Sequence, residues 1–231
     1  MPDLTAKLFI LKKHHKYDIK FCKRFMAVKE TGTTTIGLIY KDGVILAADR
    51  RMSADHIVAH KNAEKVLPLS ENIGITTAGL VADLQTLVKV MQAEIQLHDI
   101  RSSERMSTKA AVGLLSSILF NKRMSLNIFY TEFIIGGYDT KQELYAVDEV
   151  GSYTLDKYTV TGSGGVFALG VLEAEYKDNM SLEDAVKLAN KAVKASIARD
   201  VYTGEGVDIA VIDKKGYRKL TDEEINKIVS Q

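Results

Sequence analysis

The sequence predicts an α+β fold built in layers, with helix pairs covering both faces of packed antiparallel sheets. Three observations carry this. Strand-like and helix-like segments come in blocks: strands, two helices, strands, two helices, strands. Such blocks segregate hairpins from helices instead of interleaving single strand–helix–strand units. Beyond the first 32 residues there is no linker, internal repeat or low-complexity run. Only two prolines occur, Pro2 and Pro68, so the body reads as one compact unit.

Taken in order, residues 1–32 have charge, the adjacent pair His14 and His15, and no sustained period. They read as a basic tail or a removable leader, outside the core either way. Thr33–Tyr40 is β-branched and predicts a strand. Lys41-Asp42-Gly43 predicts a hairpin turn in which Asp-Gly tolerates positive φ. Val44–Ala48 is the return strand, apolar enough to be covered on both faces, and Asp49-Arg50-Arg51 closes it. A mixed segment follows to Leu69, then a strand over Ile73–Gly79. From Leu80 a helix is predicted, because Leu84, Leu87, Val88, Met91 and Ile95 fall on one stripe. A second runs from about Ser107 to Lys122 with Ala111, Leu114, Leu115, Ile118 and Leu119 inward. Ile128–Tyr138, Glu143–Val147 and Tyr153–Val160 predict strands, and Thr161–Gly165 breaks the last. Helices are predicted over Val166–Tyr176 and Leu182–Asp200, the second opened by a capping box of Ser181 and Asp184. Val207–Ile212 and Tyr217–Leu220 predict strands, and Asp222–Val229 a short final helix.

The bulk properties limit the function classes. The chain has 231 residues, 46% of them hydrophobic, enough for one sizeable core. The net charge of +1 is uneven. Residues 1–32 hold eight Lys/Arg against three acids, a charge of +5, which leaves −4 for residues 33–231. A mildly acidic body argues against nucleic acid as the main partner. The single cysteine, Cys22, permits no internal disulfide and fits a reducing compartment. The run Leu8-Phe9-Ile10-Leu11 is too short for a signal sequence, and no apolar stretch is long enough to span a membrane. A cytoplasmic location is expected.

The stretch Thr31-Gly32-Thr33-Thr34-Thr35-Ile36-Gly37 marks the boundary between the basic segment and the ordered body. It can be a Thr-rich strand entry and nothing more. Cleavage between Gly32 and Thr33 would instead leave Thr33 with a free α-amino group beside its own hydroxyl, a general base and a nucleophile in one residue. Other motifs lead nowhere. Gly162-Ser163-Gly164-Gly165 lacks the Lys and spacing of a phosphate loop, and His56 and His60 lack a third metal ligand.

From about Thr31 to Leu220 the chain resembles a β-type subunit of the 20S proteasome, archaeal-like, within the N-terminal nucleophile hydrolases. The resemblance rests on motifs in order: Gly32-Thr33-Thr34-Thr35-Ile36-Gly37, Lys41-Asp42-Gly43-Val44, Ala47-Ala48-Asp49-Arg50-Arg51, His60-Lys61-Asn62 leading to Lys65, Ala78-Gly79-Leu80-Val81-Ala82-Asp83, Thr161-Gly162-Ser163-Gly164, and Arg199-Asp200 through Asp208. It implies a four-layer α/β/β/α sandwich and a division into a propeptide, 1–32, and a single hydrolase domain, 33–231. It implies a threonine endopeptidase that cleaves itself at Gly32–Thr33 and then hydrolyses unfolded polypeptides.

The same resemblance implies roles. Thr33 is the nucleophile, Lys65 the neighbouring cation that keeps the amine unprotonated, and Asp49 the carboxylate that pairs with Lys65. Gly79 offers a backbone N–H to the developing oxyanion. Ser163, Asp200 and Thr203 support the Thr33 amine; Thr203 stands where the family pattern has serine, which keeps the hydroxyl and adds a methyl. Ser53 and the backbone at Gly79–Val81 would receive an extended peptide, and Met52, Ala63, Leu67, Thr77, Val81 and Gln85 would form its first side-chain pocket. No cofactor or metal is implied. The implied partners are α-type and β-type subunits in stacked seven-membered rings and a regulatory ATPase acting through the α ring, with no nucleic acid or membrane. The alternative is a catalytically silent structural subunit of the same ring.

Overall fold

The computed structural model describes residues 32–54, 56–124 and 128–231, which fall within one compact unit. The expected leader, save Gly32, lies outside the described residues. The strands are β1 (Thr35–Tyr40), β2 (Gly43–Asp49), β3 (Met52–Ala54), β4 (Ile57–His60), β5 (Val66–Pro68), β6 (Ile73–Gly79), β7 (Thr131–Tyr138), β8 (Gln142–Val147), β9 (Tyr153–Leu155), β10 (Tyr158–Thr161), β11 (Val207–Asp213) and β12 (Gly216–Lys219). The helices are α1 (Val81–Ser102), α2 (Thr108–Met124), α3 (Gly165–Glu175), α4 (Leu182–Ile197) and α5 (Asp222–Val229).

Two antiparallel sheets form the centre. One has the order β10-β1-β2-β11-β12 and the other β5-β6-β7-β8-β9, while β3 and β4 make a separate hairpin. Three apolar clusters glue four layers together. Ala168 and Leu172 of α3, Val186, Ala189 and Val193 of α4 and Ile225 of α5 pack on Ile36, Ile45 and Ile209 of the first sheet. Val44, Leu46, Ile134, Leu144 and Ile212 fill the space between the sheets. Leu87, Met91 and Ile95 of α1 and Leu115 and Leu119 of α2 pack on Ile75, Phe133 and Ile135 of the second. β2 explains itself. Its even residues face one cluster and its odd residues the other, so all seven positions are buried.

Three local expectations are corrected. Tyr153–Val160 is not one strand. The chain breaks at Asp156 and Lys157 and passes between sheets: β9 pairs with β8 and β10 with β1. Gly43 is not in the left-handed region. A side chain there would instead lie 2.2 Å from the Ile212 carbonyl oxygen of the neighbouring strand. Ser181 does cap α4, but Asp184 bonds the Ser181 hydroxyl at 2.8 Å rather than reaching back to its backbone. The reciprocal capping box sits instead on α5, between Thr221 and Glu224.

Candidate active site

The three consecutive threonines are held in three different directions. Thr35 bonds Thr161 of β10 at 2.6 Å and accepts from Thr76 of the second sheet at 3.1 Å, tying the sheets together beside the site. Thr34 bonds Thr203 at 2.8 Å. Thr33 lies buried just ahead of β1. Lys65 Nζ donates both to Thr33 Oγ1 and, at 2.7 Å, to Asp49 Oδ1. The Thr33 hydroxyl lies 3.4 Å from that same Oδ1.

Asp49 ends β2 and is fully buried. An isolated buried carboxylate would be costly, yet this one is saturated. Oδ1 also accepts from Thr34 N at 3.0 Å, and Oδ2 from the backbone N–H groups of Arg51 and Gly204, each at 3.0 Å. Lys65, just before β5, is 7% exposed. Burial pushes its ammonium below the ordinary lysine range, and the Asp49 charge opposes that shift. The result is a cation easier to deprotonate than a surface lysine, in contact with a hydroxyl.

A second group holds the backbone of Thr33. Its N–H donates to Ser163 Oγ at 3.2 Å, and Ser163 donates to Asp200 Oδ2 at 2.6 Å. Thr203 donates to the same Oδ2 at 2.6 Å. The Thr33 carbonyl accepts from Gly164 N at 3.3 Å. Gly162, at φ +84, passes so close that a side chain would lie 2.3 Å from that carbonyl oxygen. Gly32 is equally confined, since a side chain there would meet Tyr202 Cβ at 2.1 Å and Ser163 Oγ at 2.6 Å. Of the expected catalytic residues, Thr33, Asp49, Lys65, Ser163, Asp200 and Thr203 are thus joined by hydrogen bonds in one network.

Gly79 ends β6 at the wall of a cavity of about 510 Å³ that also opens onto Gly32, Thr33 and Lys65. The backbone itself requires glycine there. It has φ +124, and a side chain would lie 2.1 Å from the Tyr130 carbonyl oxygen. Met52, Ala63, Leu67, Thr77, Val81 and Gln85 all line this cavity. Ser53 does not; its hydroxyl accepts the Gly32 N–H at 3.4 Å. The sequence reading missed Leu84 and Val88, which line the cavity too, because their place on the apolar stripe of α1 explains them as core. It also missed Arg51, His60, Lys61, Asn62 and Glu64 as lining residues.

The arrangement is a hydroxyl held against a buried cation–carboxylate pair at the mouth of a mostly apolar cavity. Comparisons with known proteins identify the family. A family model described as "Proteasome subunit" matches residues 29–212. The chain is 41% identical over 203 residues to "Proteasome subunit beta 1" of Thermococcus sibiricus, covering 88% of this chain and 97% of that one. It is 45% identical over 192 residues to "Proteasome subunit beta 2" of Hyperthermus butylicus, covering 83% and 90%. It is 45% identical over 201 residues to "Proteasome subunit beta" of Methanocaldococcus vulcanius, covering 86% and 89%.

Proposed function

The chain belongs to the proteasome subunit family, and from that premise we propose that it is a threonine endopeptidase of a cytoplasmic proteasome core, active after it removes its own leader. Membership implies assembly with other proteasome subunits. We further propose that these form stacked seven-membered α and β rings, fed with unfolded polypeptide by an ATPase on the α ring.

One observation carries the peptidase reading: Lys65 Nζ bonds Thr33 Oγ1 and Asp49 Oδ1 together, out of water. While Gly32–Thr33 is intact, the Thr33 nitrogen is an amide and cannot take a proton. The Lys65–Asp49 pair is then the base that touches the hydroxyl. Thr33 Oγ attacks the Gly32 carbonyl carbon, the C–N bond breaks, and the nitrogen leaves as an amine carrying the proton. Water opens the resulting ester and frees the leader. In the mature subunit the α-amino group, with an ordinary pKa of about 8, lies beside the hydroxyl and can share the base role. Ser163, which already accepts from that nitrogen, and Asp200 behind it would orient it. The Gly79 backbone N–H would face the oxyanion of each step.

The test is an assembled particle made from the full-length chain. Intact mass should show residues 1–32 removed, and an inhibitor that traps N-terminal threonine should label Thr33 and stop peptide hydrolysis. Thr33→Ala should retain the leader. Maturation of that variant at residue 33 without a partner protease would exclude self-cleavage. A native particle with no turnover and no label would leave the structural-subunit reading in its place.

A further inference from the structure

We propose that Arg51 is a positioning residue of the Thr33 site, clamping the strap of residues 201–205 that holds Asp49 and Thr203. The inference rests on the peptidase reading. An arginine beside a cavity is ordinarily a solvated charge, and three features of Arg51 depart from that.

First, its guanidinium grips the strap at both ends. Nη1 donates to the Val201 carbonyl at 2.9 Å, and Nη2 to Glu205 Oε1 at 3.1 Å. Second, the group lies flat on the residue between them. An atom added at Gly204 would stand 2.4 Å from each of Cζ, Nε and Nη2, as expected of a planar face pressed on the glycine. Arg51 Nε is buried there with no hydrogen-bond acceptor among the described residues, so packing on Gly204 overrides a donor. Third, the strap turns through a conformation that needs holding. Glu205, with a side chain, sits at φ +69, and Gly206 follows at φ +136. Backbone outliers of this kind persist where surroundings over-determine them, and they concentrate at functional sites.

Three groups of the strap reach the site. Gly204 N–H reaches Asp49 Oδ2 at 3.0 Å, and the Gly204 carbonyl accepts from the amides of Arg50 and Arg51, each at 3.1 Å. Thr203 bridges Thr34 and Asp200. Releasing the clamp would let Gly204 N–H drift from Asp49, and with it the carboxylate that orients Lys65 against Thr33. Arg51 lines the cavity but touches none of the reacting atoms, and its guanidinium is committed to the strap, so its loss should fall mainly on turnover.

The experiment measures peptide hydrolysis by assembled full-chain particles, normalised to threonine sites titrated with the trapping inhibitor. Arg51→Ala should lower kcat by about tenfold or more while KM stays within about threefold, the pattern of a displaced catalytic group. Arg51→Lys should not restore it, because one compact ammonium cannot span two acceptors and lie flat on Gly204. Added guanidinium should raise the turnover of Arg51→Ala in a saturable way, and ammonium should not. Should Arg51→Ala fail to assemble, Glu205→Gln decides, since it keeps the strap's volume and weakens one end of the clamp. It should lower kcat about threefold at unchanged KM. Native kcat in both Arg51→Lys and Glu205→Gln overturns the inference, as does an Arg51→Ala defect that lies wholly in KM. If the native particle itself shows no turnover, the peptidase reading fails and this inference fails with it. An active native particle with indifferent variants overturns only this inference.

Discussion

At the residue scale, Asp49 and Lys65 are not equivalent halves of a pair. Asp49 keeps three backbone N–H donors if Lys65 is removed, whereas Lys65 has no other carboxylate within bonding distance among the described residues. Lys65→Ala should therefore fold and assemble while losing about 100-fold or more in turnover, as when a buried oxyanion or nucleophile stabiliser is deleted. Lys65→Arg should not rescue it. Asp49→Ala should cost stability, about 3 kcal/mol or more for a buried charge left unpaired. The pH dependence checks this. Burial already holds the Lys65 pKa below that of the unfolded chain. The unfolded state therefore binds a proton that the native state resists. Stability should rise as pH climbs through the folded value toward the unfolded lysine value of about 10.4. The rise should be steeper in Asp49→Ala, where nothing opposes the depression. Thermal midpoints at pH 7 and pH 9 for both chains measure it. An equal slope in the two would mean that Asp49 does not set the charge of Lys65. Thr33, Asp49 and Lys65 were legible in the sequence because short motifs carry them. Arg51 and Gly204 were not. Their roles arise from residues about 150 positions apart meeting in space, which no local pattern records.

At the element scale, the helices and most strands followed from periodicity and turn residues. Two of the three misreadings, at Tyr153–Val160 and Gly43, share a cause, since a neighbouring strand decided the outcome, while the third, at Ser181, turns on side-chain length. The run Tyr153–Val160 is uniform in strand character, yet β8 claims its first half and β1 its second. The cap expected at Ser181 has its full reciprocal form at Thr221, where glutamate has the extra methylene needed to reach back. That capping box makes α5 testable. The Glu224 carboxylate is held below its ordinary range chiefly by the Thr221 N–H, and that of Asp222 chiefly by hydrogen bonding to Arg50. Depressed carboxylate values contribute stability above the ordinary range and lose it as pH falls through the folded values. Amide protection of α5 should therefore drop below pH about 4, read by hydrogen exchange of a peptide spanning 220–231 after correction for intrinsic rates. Thr221→Ala should weaken the same amides by about 1 kcal/mol at neutral pH. Protection unchanged in that variant would mean that Ile225 packing alone holds the helix.

At the scale of the whole molecule, the layered class could be read from the order of segments, but the cavity could not be read from any one of them. It opens where β3, β5 and β6 meet the first turns of α1, and its depth comes from Leu84 and Val88 as well as Leu67, Thr77 and Val81. Charged groups reach its wall, but Lys65 is paired with Asp49 and two more are engaged elsewhere. Arg51 is paired with Glu205, and Glu64 with Lys219 at 3.2 Å. Lys61 is exposed at the rim, where water screens it. A cavity of about 510 Å³ has room for one large side chain. Among the described lining residues the charges of Arg51, Glu64 and Lys65 are already paired, and burying a further charge unpaired is costly. Cleavage should therefore fall after Leu, Phe, Tyr or Met, with kcat/KM about tenfold or more above Arg or Glu at the same position. A fluorogenic panel on the assembled particle, with the threonine trap as control, measures the ratio. Thr77→Arg should invert it, raising Glu substrates at the expense of Leu. A native preference for Arg or Glu would show that the walls, not the base, select the side chain. It would leave Thr33 untouched, because the nucleophile and the pocket are built from different residues.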